Sequence, residues 1–137
     1  MRQQFMVLLP VLFITLIIPG CQTWEEIDVC GSWFLVFDHW TYEWEDLTIT
    51  LHFNGTSEEG DITSDNNFTG TYTVNGTHIY FMVQSQEIVG GTNDIVYATY
   101  QCTGRTFSGK MSGDFQYTKA MYGHIIYIGI GKWEATR

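Results

Sequence analysis

The sequence predicts an all-β protein, an antiparallel up-and-down β-barrel of about eight strands that follows an N-terminal signal peptide. Three observations lead to this class. Apolar and polar residues alternate with a period of two in several segments, which is typical of strands with one buried face. Turn pairs such as Asn-Gly and Thr-Gly join these segments into hairpins. Both prolines, Pro10 and Pro19, precede the predicted domain, so nearly every backbone N–H in it can join a sheet ladder.

The N-terminal segment predicts export. Its apolar run from Phe5 to Ile18 is shorter than the roughly 20 residues that span a membrane and has the length of a signal-peptide core. The letters "IPGC", which end at Cys21, resemble the bacterial lipobox, after which the signal is cut and the cysteine carries lipid such as palmitate. An ordinary signal peptide that ends near a cysteine is the alternative. We therefore predict a lipoprotein signal peptide over residues 1–20 and a lipid-anchored domain over residues 21–137.

Location and charge limit the partners. Gln22 follows the predicted lipidated cysteine, and a residue other than aspartate there implies an outer-membrane address by resemblance to lipoproteins of double-membrane bacteria. The formal net charge is −9, and all 15 acidic residues lie beyond Cys21. Such a surface repels nucleic acid and anionic lipid headgroups. We therefore expect no nucleic-acid partner, and membrane contact only through the lipid anchor.

The cysteine count allows one disulfide. The chain has three cysteines, so at least one of them cannot join an intramolecular disulfide. If Cys21 is lipidated, Cys30 and Cys102 can pair in an oxidising compartment. Closing a loop of roughly 70 residues would stabilise the fold by about 4 kcal/mol in the chain-entropy picture. Two unpaired buried thiols are the alternative.

Predicted strands follow one another as hairpins. "LTITLHF" alternates strictly, which puts Leu47 and Phe53 on a buried face. "TYTVNGTHIYFMV" predicts two strands around Asn75-Gly76, and "YATYQCTGRTFSGKMSGDF" predicts two more around Thr103-Gly104. The polar stretch from Thr56 to Asn67 is predicted as a loop. The predicted strands are "SWFLVFD", "LTITLHFN", "FTGTYTV", "THIYFMVQ", "DIVYATYQC", "RTFSGKMS", "DFQYTKA" and "HIIYIGIGKWEAT".

The two ends of the domain carry a recognisable pair of motifs. "CGSWFLVF" opens it with Gly-x-Trp at Gly31 and Trp33, and "GKWEATR" ends it on Arg137. This combination resembles the lipocalin (calycin) superfamily, and in particular its small bacterial lipoproteins. The resemblance implies that Trp33 packs under the closed end of the barrel and that Arg137 lies across its ring. A guanidinium over an indole would contribute roughly 0.5–2 kcal/mol.

The stretch "DHWTYEWED" predicts an aromatic lid. Trp40, Tyr42 and Trp44 alternate with polar residues after the first strand, where lipocalin-like barrels carry a connection over the open end. The resemblance implies a small apolar ligand beneath this lid, lined inside by Phe53, Tyr72, Phe81 and Tyr100. Sugar stacking on exposed tryptophans and aromatics that merely plug the barrel are the alternatives.

The sequence contains none of the common catalytic motifs and no favourable arrangement of metal ligands. No nucleophile elbow, Cys-x-x-Cys, His-Glu-x-x-His or phosphate-binding glycine loop occurs. The histidines are scattered along the chain, which does not favour a metal site. We therefore expect a protein without enzymatic activity and without a cofactor or metal.

Two functions remain after these exclusions. The first is an exported, lipid-anchored barrel that binds a small apolar ligand. The second is a barrel whose outer surface binds a protein partner, as an inhibitor would. An open cavity of roughly 300 Å³ or more inside the barrel would favour the first, and an interior filled by aromatic rings would favour the second.

Overall fold

The computed structural model describes residues 27–40, 46–91, 93–107 and 109–137 of the 137-residue chain. The predicted signal peptide, Cys21 and two predicted lid residues, Tyr42 and Trp44, lie outside the described residues. Within the described part there are eight strands and no helix, and nothing helical there is long and apolar enough to span a membrane.

All eight strands belong to one closed antiparallel sheet. Each strand pairs with the next along the chain, and the last pairs with the first, which closes the sheet into a barrel. The predicted all-β class and antiparallel meander are therefore confirmed. The strands are β1 (Gly31–His39), β2 (Leu47–Gly55), β3 (Glu59–Ser64), β4 (Thr69–Asn75), β5 (His78–Val89), β6 (Asp94–Phe107), β7 (Lys110–Met121) and β8 (His124–Thr136).

Alternation along the strands decides which residues face the core. In β2 the predicted inward residues from Ile49 to Phe53 are buried, and Leu47 is half-buried. The predicted hairpin of β4 and β5 is present, but Asn75 pairs with His78, so its loop is Gly76-Thr77. This displacement by one residue leaves the inward set unchanged, because a strand keeps its own period of two.

The predicted number of strands is right, but two predicted elements are wrong. The polar stretch from Thr56 to Asn67 contains β3, which pairs with both of its neighbours. Its only buried apolar residue is Ile62, so β3 shows too little alternation to be seen in the sequence. Conversely, Thr103-Gly104 is not a turn, because β6 continues to Phe107, which pairs with Lys110 at the start of β7.

Gly104 and Gly113 mark a close crossing of β6 and β7. They are directly opposed, and a Cβ on Gly113 would overlap the Thr103 carbonyl oxygen and the Gly104 backbone. A Cβ on Gly104 would also meet the Trp133 ring. The Trp133 indole occupies this space and donates a 3.1 Å hydrogen bond from Nε1 to the Thr103 carbonyl. Glycine is therefore required here by close approach and not by turn geometry.

The first and last strands pair with each other, and Arg137 lies close to the start of β1. Leu35 pairs with Ala135 across β1 and β8, and the Arg137 guanidinium lies 4.3 Å from the centroid of the Trp33 ring. The fully buried Trp33 donates from Nε1 to the Val29 carbonyl at 2.8 Å. Gly31 opens β1 with a φ of 116°, a conformation that favours glycine.

The predicted disulfide between Cys30 and Cys102 is wrong, since both cysteines are free. Cys30 precedes β1, where its Sγ lies 3.2 Å from the Gly55 carbonyl and 3.6 Å from the Tyr72 hydroxyl. Cys102 lies within β6 and not at its end, in register with Phe81 on one side. The pairing was predicted from the cysteine count, which carries no information on where the two thiols lie in the sheet.

Candidate functional site

Aromatic rings fill the interior of the sheet. The four residues that the sequence assigned to a ligand site all lie in the core and contact other rings. Phe53 lies 4.9 Å from Tyr72 and Phe81 lies 4.9 Å from Trp133, between ring centroids. At the other end Tyr100 stacks on Phe37 at 4.3 Å. Each of these four residues therefore packs against at least one other aromatic ring of the core.

Two buried tyrosine hydroxyls of the interior are hydrogen-bonded within the protein. The Tyr72 hydroxyl donates a 2.6 Å hydrogen bond to the Thr56 carbonyl. The Tyr100 hydroxyl lies 2.8 Å from His39 Nε2. Burial raises the pKa of Tyr100 above its ordinary value, so its hydroxyl stays protonated. Neither tyrosine therefore presents a polar group to a ligand.

His39 ends β1 inside a cage of aromatic rings at the open end. Its ring centroid lies 4.9 Å from that of Phe115 and 5.4 Å from that of Tyr117. Burial lowers the pKa of His39, and the carboxylates of Asp46 and Asp38 oppose this shift more weakly. His39 is therefore a neutral core residue, and the described structure gives it a packing role.

Of the predicted lid, only Trp40 lies in the described part of the chain. Its side chain is 56% exposed, and its backbone N–H donates to the Ile130 carbonyl at 3.1 Å. Lys132, an outward residue of β8, places Nζ 5.7 Å from the centroid of the Trp40 ring. Trp40 thus contributes to the outer surface beside β8.

A groove of about 950 Å³ lies on the outer face of the sheet. It crosses six strands, and the backbone of Gly104 and Gly113 contributes to it where β6 and β7 approach closely. Two rows of outward side chains, defined by the strand register, line it. The first row consists of Val36, Glu134, Ser112, Arg105, His78 and Asn75. The second row consists of Asp38, Lys132, Asp114, Thr103, Tyr80 and Thr73.

The groove is acidic with one exposed aromatic ring. Asp38, Asp46, Asp114 and Glu134 contribute four carboxylates, against the two cationic groups of Arg105 and Lys132. Tyr80 lies on β5, toward the β4 side of the groove, and is 48% exposed. An exposed tyrosine among charged and amide side chains can stack on a partner and accept or donate hydrogen bonds at the same time. This arrangement suits recognition of another molecule on the outside of the barrel.

The alternation along β5 puts His78 and Tyr80 on the outer face, but it does not reveal the groove. The rows that line it join residues up to about 100 positions apart, such as Asp38 and Lys132. Only the register of the closed sheet brings them together. Alternation within one strand therefore showed the direction of each side chain but not its neighbours.

The described residues hold no group of three or more histidine, cysteine, aspartate or glutamate side chains that could bind a metal ion. His52 Nε2 lies 3.3 Å from an Asp65 carboxylate oxygen. The other ring nitrogen of His52, Nδ1, lies 2.7 Å from Ser32 Oγ. This set joins the outer faces of β1 and β2 to the end of β3. It acts as a surface hydrogen-bond network.

Comparisons with protein-family models, with curated proteins and with solved structures found no match for this chain.

Proposed function

We propose that this chain is an exported, lipid-anchored, lipocalin-like β-barrel that acts by binding a protein partner on its outer face. The observation that carries the proposal is the contrast between the two sides of the sheet. The inner side is filled by packed aromatic rings, while the outer side has a groove of about 950 Å³.

The anchor rests on the sequence before Cys21. Lipid at Cys21 would hold the barrel in the outer membrane by the end where Trp33 meets Arg137, because the described chain begins beside that contact at residue 27. Replacing Cys21 with serine should abolish labelling with radioactive palmitate and release the protein from the membrane fraction. Unchanged labelling would show that Cys21 carries no lipid.

Charge indicates the kind of partner. The chain carries a formal net charge of −9, and the groove has four acids against two bases. Such a surface raises the encounter rate with a basic protein and disfavours acidic competitors. The proposed partner is therefore a basic polypeptide that lays a segment across the groove and contacts Tyr80.

A small apolar ligand is the weaker candidate. To enter, it would have to displace rings such as Phe81 and Tyr100, which are at most 4% exposed. Closely packed interiors resist such displacement, since each lost ring contact must be replaced. A binding cavity of useful size would require the core to rearrange.

Two matched variants test the proposal. Tyr80→Ala removes the exposed ring in the groove, and Phe34→Ala removes a similarly exposed ring, which is 50% exposed on β1 and does not line the groove. Full-length protein cross-linked in its own envelope should yield a basic partner with wild type and with Phe34→Ala. Yield should fall at least about tenfold with Tyr80→Ala, as expected for a hot-spot aromatic. Equal yields from both variants would refute a role for the groove.

A further inference from the structure

The outer face of β5–β8 at the open end lacks charge. Next to the groove, toward the open end, the register aligns three rows of outward side chains across these four strands. The pair Ile88 and Ile95 follows them. The rows are Ile130, Gln116, Gln101 and Met82; then Ile128, Thr118, Thr99 and Gln84; then Ile125, Ala120, Tyr97 and Gln86. None of these side chains carries a formal charge, although the chain has 15 acidic and six basic residues. We call this surface the neutral face.

Isoleucines on β8 make one side of the neutral face strongly apolar. Ile125, Ile126, Ile128 and Ile130 are each between 52% and 60% exposed. The register shifts beside Ile126, between Lys119 and Ala120 on the partner strand, and so two consecutive isoleucines are exposed there. A contiguous exposed apolar patch of this kind marks an interaction site in a soluble domain.

We propose that the neutral face is the contact between two copies of this chain. Two molecules that each carry a net charge of −9 repel one another. At the groove, the two copies would bring carboxylates such as Asp38 and Asp114 together. On the neutral face they meet without like charges, and a two-fold axis presents the same patch from both copies.

The size of the face indicates a modest affinity. It offers roughly half of the 20–30 residues per side found in standard interfaces. Its polar members can bond within one copy, as Gln84 Nε2 does with Thr99 Oγ1 at 3.0 Å, so association need not leave them unsatisfied. Copies held in one membrane have a high effective concentration, which favours a weak dimer.

Cysteine cross-linking in native membranes tests this dimer. The full-length chain carries Cys30→Ser throughout, because the half-buried Cys30 would otherwise react. A flexible bis-maleimide is applied to Ile128→Cys on the neutral face and to Thr48→Cys, an exposed outward position on β2. Ile128→Cys should give a product of twice the monomer mass, and Thr48→Cys should stay monomeric.

A second substitution distinguishes a specific dimer from random collision. Adding Gln116→Glu, at an exposed position in the row of the neutral face that borders the groove, should reduce the Ile128→Cys product at least about tenfold, because it adds a carboxylate from each copy to the contact. Equal cross-linking at positions 48 and 128, or a product that Gln116→Glu leaves unchanged, would overturn the proposal.

Discussion

The guanidinium of Arg137 lies 4.3 Å from the centroid of the Trp33 ring. It also donates to the Asp28 carbonyl, from the segment that precedes β1. The last residue of the chain therefore covers a fully buried indole at the start of the domain. This contact joins the two strands that close the sheet.

Replacing Arg137 with alanine should lower the free energy of unfolding by about 1–2 kcal/mol, through the lost cation–π contact and the lost cover of the indole. Arg137→Met keeps much of the apolar cover without the charge, so it should cost less. Chemical unfolding followed by tryptophan fluorescence measures both. A midpoint for Arg137→Ala identical to that of wild type would show that the terminal arginine does not stabilise the closure.

The opposed glycines of β6 and β7 lead to a second prediction. Gly113→Ala should destabilise the fold by at least about 3 kcal/mol, because the new methyl group would overlap backbone atoms that cannot rotate away. Gly90→Ala is the matched control, since a Cβ there meets nothing within 4 Å. Thermal unfolding by circular dichroism compares the two. If both variants lose the same stability, the close crossing of β6 and β7 is not real.

Sequence patterns predicted the class of the fold because each strand carries its own alternation. β2 and the hairpin of β4 and β5 show it clearly, and their buried residues were assigned correctly even where the turn was displaced by one position. β3 was missed because Ile62 is its only buried apolar residue. Thr103-Gly104 resembles a turn in the sequence because a glycine required by close strand approach has the same local signature as a glycine in a turn.

The candidate site was less predictable than the fold. The four aromatic residues predicted to line a ligand site from inside are inward, but alternation cannot tell a lined cavity from a filled core, since both need inward apolar residues. The groove depends on the register between distant strands, as in the pairing of Asp38 with Lys132. No local pattern records that register.

His39 should make stability depend on pH. Burial lowers its pKa in the folded protein, so the unfolded chain, with a pKa of about 6.5, binds the proton first as the pH falls. Stability should therefore decrease as the pH drops below about 6.5, until the folded pKa is reached. His39→Gln removes this titration. The stability difference between wild type and His39→Gln should shrink on going from about pH 8 to about pH 5. A constant difference would contradict a buried neutral histidine.

The two free thiols should react at very different rates. Cys30 is half-buried near the surface, whereas Cys102 is fully buried and burial raises the pKa of its thiol. Maleimide should therefore label Cys30 at least about 100-fold faster than Cys102 in the folded protein. Mass spectrometry of the labelled protein, with Cys30→Ser as control, measures this. Recovery of a peptide pair joined through Cys30 and Cys102 would contradict the structure.

The central claim is that the filled interior leaves binding to the outer face. Native mass spectrometry of the full-length protein, released gently from the membranes of its own host, tests it most directly. We predict the mass of the lipid-modified chain, alone, as a dimer or with a bound protein, and no small molecule retained by the folded barrel. A small apolar molecule held in a one-to-one ratio, and lost when Phe81→Ala alters the core, would contradict the account.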